Sequence, residues 1–387
     1  MSDGFAPEAP KRLVLVVGQG RSGTSLLSGI LGRMGFHVPQ PEVKADKTNP
    51  RGFGEPRWVV NFHTRQMRAR RVTVFDSRYK AWEGLAEVAG DERVVEELRS
   101  WLAVQFVGTD NVVVKDPRNV WFLPLWRRCA ADLGVRTGFA TMLRHPTEVV
   151  ASARASYGTW QNDTSRAASW VNVMLHSEHG TRGSSRSFVR YEDLIEDWPR
   201  EISRCGDLLD VPWLAGVDRS RHPEVDAFVD PSLRRSPQGW EAVQIRPDLQ
   251  AMCEQVWDAM SALADPDGDT EEARAKLDAA REAYIDFYAA AEAVAQSSVT
   301  AVKPRAQSLA TDVSRSSNGR AASGLKGAVP ARVRRSALVT GVRESLRVSE
   351  GLPLPVRAML LLPPKYRERL PLPVVHAARW VVRATRR

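Results

Sequence analysis

The sequence predicts an α/β protein organised on a parallel sheet, and three observations carry that expectation. Residues Arg12 to Met34 run from a short apolar segment, Leu13–Val17, through the glycine-rich turn Gly18–Ser25, into Leu26, Leu27, Ile30, Leu31 and Met34 at helical spacing. Further short runs, at Asn111–Val114, Phe139–Leu143 and around Phe188, read as buried strands. Each ends in polar or charged residues, and the carboxyl ends of strands are where open α/β sheets gather ligands.

The first strand, its loop and the helix that follows form the geometry that holds a phosphate-like anion. Glycines let backbone N–H groups close around the oxygens, and the helix dipole adds positive potential. The loop departs from the Walker A pattern GxxxxGK[ST]: Gly23 leads directly into Thr24 and Ser25, and the cation has moved forward to Arg21. A nucleotide hydrolase is therefore disfavoured, and a P-loop kinase or NTPase stands as the alternative reading.

Next, Phe36–Val38 reads as a short edge strand and Pro39–Gly54 as a Pro- and Gly-rich connector. Glu55 and Pro56 open a helix reaching about Arg71, with Pro56 in the first turn, where its missing N–H costs nothing. Glu55 there complements the helix dipole. A helix over Glu92–Val107 precedes the strand Asn111–Val114, whose end carries Lys115-Asp116-Pro117-Arg118. Arg144 ends the strand Phe139–Leu143, and Pro146 starts a helix with Ser152 in its second turn. Guanidinium and hydroxyl at that spacing can converge on one phosphate. Tyr191 stands where the strand around Phe188 enters a helix. Asp230–Arg235 is a basic turn, and helical patterns cover 248–263 and 271–294. His37, His63 and His145 have no metal-ligand spacing, so no metal is expected.

Two of these elements together closely resemble the phosphate-reading motifs of sulfotransferases that use 3′-phosphoadenosine 5′-phosphosulfate (PAPS). One is Arg21-Ser22-Gly23-Thr24 after the first strand; the other is Arg144-His145-Pro146 with Ser152 eight residues beyond the arginine. The resemblance spans roughly residues 10–295 and implies a three-layer α/β/α, P-loop NTPase-like fold with a central parallel sheet. It implies that Gly20, Arg21, Ser22, Gly23, Thr24 and Ser25 hold the 5′-phosphosulfate and that Arg144 and Ser152 read the 3′-phosphate. The product would be 3′-phosphoadenosine 5′-phosphate, with no metal. Tyr191 looks like the tyrosine of the family's YEDL segment, near the adenine; read from the residues alone, it packs on a capped helix. Arg234 and Arg235 resemble a basic loop that closes over the nucleotide, or form a solvated turn.

Glu55 occupies the place of the proposed general base of carbohydrate and bacterial sulfotransferases, with His63 as reserve. Lys115 resembles the lysine that reaches the acceptor or the transferring group, and Arg21 would offset charge on the bridging oxygen. The implied reaction is in-line sulfuryl transfer from PAPS to a hydroxyl of a sugar, glycolipid or similar metabolite. A sulfotransferase fold that has lost activity and serves as a membrane-associated scaffold is a further alternative.

The chain has 387 residues, room for one large α/β domain and an appendage, and at 43% hydrophobic and 26% charged it has the composition of a soluble globular protein. Cys129, Cys205 and Cys253 are widely spaced and contain no CxxC, which suggests neither a disulfide framework nor a zinc site. A signal-peptide pattern and a span-length apolar run are both lacking, so the expected address is cytoplasmic. From Ala301 onward, 18 Lys and Arg face four Asp and Glu, a net +14, so residues 1–300 carry −5 of the whole chain's +9. Basic character thus belongs to the tail, which argues against nucleic acid as a partner of the main domain.

The expected organisation is a sulfotransferase-like domain over 1–295, a flexible Ser/Ala/Arg-rich linker over 296–330 and a basic, Pro-punctuated tail over 331–387. Trp380, Val381 and Val382 beside Arg379, Arg383, Arg386 and Arg387 read as a short basic amphipathic helix. Such a helix can lie on an anionic bilayer, which would put the protein at the inner membrane surface. The other reading is a disordered tail.

Overall fold

The computed structural model describes residues 10–46, 48–49, 51–158, 161–230 and 239–318, with side chains as far as 297. It divides into two compact units, Met1–Lys303 and Pro304–Arg387. Four strands, β1 (Arg12–Val17), β2 (Asn111–Lys115), β3 (Arg136–Leu143) and β4 (Ser185–Arg190), form one sheet in the order β2-β1-β3-β4. Every pairing is parallel. The chain leaves β1 for β2 on one side and then crosses back to β3 on the other. The crevice beyond the carboxyl ends of β1 and β3 is therefore the topological switch point, where such sheets bind ligands.

Helices cover both faces. The first half of the chain contributes α1 (Thr24–Arg33), α2 (Arg57–Ala69), α3 (Ala81–Ala86), α4 (Glu92–Gln105), α5 (Leu123–Asp132) and α6 (Pro146–Tyr157). The second contributes α7 (Asp163–Thr181), α8 (Tyr191–Glu196), α9 (Trp198–Leu208), α10 (Pro223–Phe228), α11 (Pro247–Ala262) and α12 (Glu271–Asn318). Successive side chains of a strand point to opposite faces, and β1 shows what that does. Leu13, Leu15 and Val17 join Phe62 of α2, Leu98 of α4 and Trp126 of α5 in one core. Val14 and Val16 join Leu27 and Ile30 of α1 and Ile202 of α9 in the other. With both faces covered, the strand is apolar throughout, and each fully buried Leu or Val contributes about 1.5–3 kcal/mol. A third cluster packs α7, α11 and α12 together through Trp170, Met174, Val256, Leu277 and Tyr284.

Several boundaries differ from the sequence expectation for local reasons. The expected edge strand at Phe36–Val38 is a single parallel bridge, His37 beside Val112, made by His37 N donating to Asn111 O at 2.9 Å and Val113 N donating to His37 O at 3.0 Å. Pro39 follows at once and supplies no N–H to extend it. Pro56 is the cap before α2, with extended backbone, and not a member of its first turn. β2 continues one residue further, so Lys115 is its last residue, paired with Val16. The expected linker boundary at 296 falls inside α12. Ala289, Ala290, Ala291, Ala293 and Ala295 are strong helix formers and carry the helix past that point. Residues 319–387, with the expected bilayer contact, lie outside the described residues.

One core residue makes stability depend on pH. His176 of α7 lies between the rings of Trp82 and Trp121, with centroids 5.2 and 6.0 Å away, and hydrogen-bonds the Val120 backbone. Burial pushes its pKa down from 6.5 to about 3. The unfolded chain takes up this proton near pH 6.5 and the folded chain only near 3. Stability is therefore unaffected by this group above 6.5 and falls as pH is lowered through that window, by up to about 1.4 kcal/mol per unit. Urea unfolding of His176→Gln between pH 7 and 4 is expected to show a shallower fall than the parent chain.

Candidate active site

The loop after β1 takes its shape from three left-handed residues, Gly18 (φ 123°), Arg21 (φ 78°) and Gly23 (φ 93°). Gly18 runs so close to β3 that a Cβ there would lie 2.7 Å from the Met142 carbonyl oxygen. A Cβ on Gly23 would lie 2.4 Å from the Tyr191 ring. Arg21 has no such exemption, and its backbone costs about 1–2 kcal/mol. The turn closes with Ser22 N donating to Gln19 O at 3.1 Å. α1 then starts at Thr24, so the N–H groups of Thr24 and Ser25 have no acceptor within the helix. The Ser22 hydroxyl is buried in this loop without a partner among the described residues.

Two arginines tie this loop to the β3–α6 junction by reciprocal bonds. Arg21 Nε donates to Ser152 Oγ of α6 at 3.1 Å, and its Nη2 donates to the Thr48 carbonyl at 3.3 Å. Arg144, at the end of β3, donates Nη1 to the Arg21 carbonyl at 3.3 Å and Nε to Glu148 Oε2 at 2.7 Å. Its guanidinium carbon lies 4.1 Å from the centre of the Tyr191 ring. Arg21, Arg144, Ser152 and Tyr191, far apart in the chain, thus form one wall of a cleft of about 350 Å³.

Glu55 and Lys115 line the same cleft. Lys115 is 3% exposed and donates from Nζ to Glu55 Oε1 at 2.7 Å and to Ser25 Oγ at 3.3 Å. Ser25 in turn donates to the Phe53 carbonyl at 2.9 Å and accepts from Asn49 Nδ2 at 3.2 Å. The connector before α2 is therefore pinned to the loop and forms the roof of the cleft. Arg51 fastens its far side to Asp230 at 2.8 Å.

His63 is placed elsewhere. It is fully buried, its ring is stacked on Phe122 at 4.3 Å, and Nδ1 faces Asp116 Oδ2 at 2.9 Å. Burial pushes its pKa down, outweighing the pull of the Asp116 carboxylate. Burial alone would raise Asp116, but Arg118 and His63 hold it below the usual carboxylate range. His63 does not line the cleft, so as a base it would have no hydroxyl within reach. Its burial follows from its position one residue after Phe62, on the inward face of α2. Arg234 and Arg235 lie outside the described residues.

Sequence reading did not single out Glu148, Tyr157 or Phe228, whereas Asn49 and Phe53 lie in the Pro39–Gly54 connector expected to shape the pocket. Glu148 carried a signal, four residues after Arg144 and in the first turn of a helix. Phe228 carried none, because α10 reaches the cleft only through tertiary packing against α1.

The sequence model of the sulfotransferase family matches residues 14–215. Among solved structures the chain is similar to the sulfotransferase domain from the Synechococcus PCC 7002 olefin synthase, at 17% identity and a TM-score of 0.38, covering 66% of this chain and 96% of that one. It is also similar to the sulfotransferase domain from the curacin biosynthetic pathway, at 16% identity and a TM-score of 0.37, covering 66% and 98%. No curated protein matches it. The buried pair predicts that Lys115→Ala, which leaves the Glu55 carboxylate without its cation, lowers unfolding free energy by about 3–5 kcal/mol in denaturant titration, and that Glu55→Gln lowers it by less.

Proposed function

The chain belongs to the sulfotransferase family, and from that premise we propose that it transfers a sulfuryl group from PAPS to a hydroxyl acceptor, a sugar, glycolipid or similar metabolite. The observation that supports this reading is that two phosphate-type anchors open into one cleft that a paired carboxylate and ammonium also line. The residues present fit the cofactor. The first-turn amides of α1 and the orphaned Ser22 hydroxyl are donors waiting for an anion. Arg144 Nη2 has no acceptor among the described residues, and it suits a 3′-phosphate.

On this reading Gly20 to Ser25 hold the 5′-phosphosulfate, and Arg144 with Ser152 holds the 3′-phosphate. When bound, PAPS supplies the sulfuryl group and a phosphate leaving group. Arg21 places positive charge where negative charge builds on the leaving side. Glu55 accepts the proton of the acceptor hydroxyl. Lys115, anchored between Glu55 and Ser25, orients that carboxylate and adds positive charge beside the transferring oxygens. The connector Pro39–Gly54 and Phe228 shape the acceptor side. Thr24, where a nucleotide hydrolase carries lysine, leaves a kinase or ATPase without its principal phosphate cation.

Calorimetric titration of the full chain with 3′-phosphoadenosine 5′-phosphate and with ADP tests the reading. Binding should require the 3′-phosphate and weaken at least about tenfold in Arg144→Ala, with kcat changed little. Glu55→Gln should bind the nucleotide normally and lose about 10²–10⁴ in kcat. ADP binding as well as the 3′-phosphorylated nucleotide would overturn the cofactor assignment.

A further inference from the structure

We infer that Glu148 is the positioning residue that gives Arg144 its selectivity for a 3′-phosphate, an inference that rests on the cofactor reading above. The Arg144 guanidinium is fixed on three sides. Glu148 Oε2 takes Nε at 2.7 Å, the Arg21 carbonyl takes Nη1 at 3.3 Å, and the Tyr191 ring covers one face at 4.1 Å. Arg144 and Glu148 are each 7% exposed, so this is a built arrangement and not a surface ion pair. The Nη2 corner is left without a protein acceptor among the described residues.

Sequence and backbone produce the pair together. Arg144 is the first residue past β3, and Pro146 begins α6 directly, which places Glu148 in the first helical turn and four residues from the arginine. A carboxylate engaging Nε holds the rotation of the guanidinium plane. Ordering of a long arginine is thereby completed before a ligand arrives, and is not charged against binding. The same carboxylate offsets the arginine's charge. Attraction for any phosphate is weakened, while directed N–H bonds to a phosphate at the one correct place are retained. Selectivity then comes from geometry more than from charge.

The competing explanation is that Glu148 serves only as an acid at the N-terminus of α6, complementing its dipole. Two isolated changes separate the explanations. Glu148→Gln keeps an oxygen at the same reach and removes the charge, whereas Glu148→Asp keeps the charge and shortens the reach by one methylene. The readout is the ratio of dissociation constants for AMP and 3′-phosphoadenosine 5′-phosphate, measured calorimetrically on the full chain, with thermal melting in parallel. The Gln variant is expected to keep this ratio within about threefold of the parent. The Asp variant is expected to lose it by about tenfold or more through weaker binding of the 3′-phosphorylated nucleotide, with AMP affinity unchanged. A ratio kept by Asp and lost by Gln, or the same ratio in both variants, overturns the inference. A parent chain that itself shows no preference overturns the cofactor reading, which the parent titration reveals before either variant is compared.

Discussion

The site depends on one exchange of hydrogen bonds. The side chain of Arg21, from the loop after β1, is held by Ser152 of α6, and the side chain of Arg144, from the end of β3, is held by the carbonyl of Arg21. Arg21 is held from outside its own loop, and Arg144 is held both by Glu148 of its own segment and by the loop after β1. The exchange is available because β1 and β3 are parallel neighbours in register, with Val17 beside Thr141, so that both loops emerge at the same level of the sheet. Two glycines then bring the segments within reach. Gly18 lets the loop pass over the Met142 carbonyl, and Gly23 lets it rest on Tyr191, whose ring also supports Arg144.

A second arrangement concerns Lys115 and Glu55. Lys115 is the last residue of β2, and its ammonium spans the gap between the loop helix and the entrance to α2, touching Ser25 and Glu55. Burying one charge alone would be costly, and burying the pair is tolerable because each satisfies the other and Ser25 takes a further bond. The three parallel strands that matter thus each deliver one cation to the cleft: Arg21 after β1, Lys115 on β2 and Arg144 after β3.

Much of this was legible in the sequence, for a physical reason. The loop, Lys115 and Arg144 lie at strand ends, with Ser152 in the second turn of the helix that follows β3, and short apolar runs bounded by glycine or proline locate strand ends well. Contacts between segments were not legible. Nothing in the chain announced that Lys115 would meet Glu55, sixty residues away, or that Phe228 would reach the cleft. His63 is a separate case. Read as structural with a reserve role as base, it keeps the structural part alone, since α2 turns it inward against Phe122 and Asp116. Tyr191 lines the cleft, and one face of its ring is taken by Arg144.

The roof of the cleft has an implication for how such a protein can diversify. Two of the bonds that fasten the connector to the loop end on main-chain carbonyls, those of Thr48 and Phe53, and Asn49 supplies a side-chain bond to Ser25. An attachment made largely through the backbone is indifferent to most side-chain replacements along the segment. The connector can therefore exchange the groups it presents to the cleft while the glycine-rich loop beneath it keeps its shape. Acceptor preference and donor chemistry are mechanically separable in this architecture, with Asn49 as the side chain on which the separation hinges.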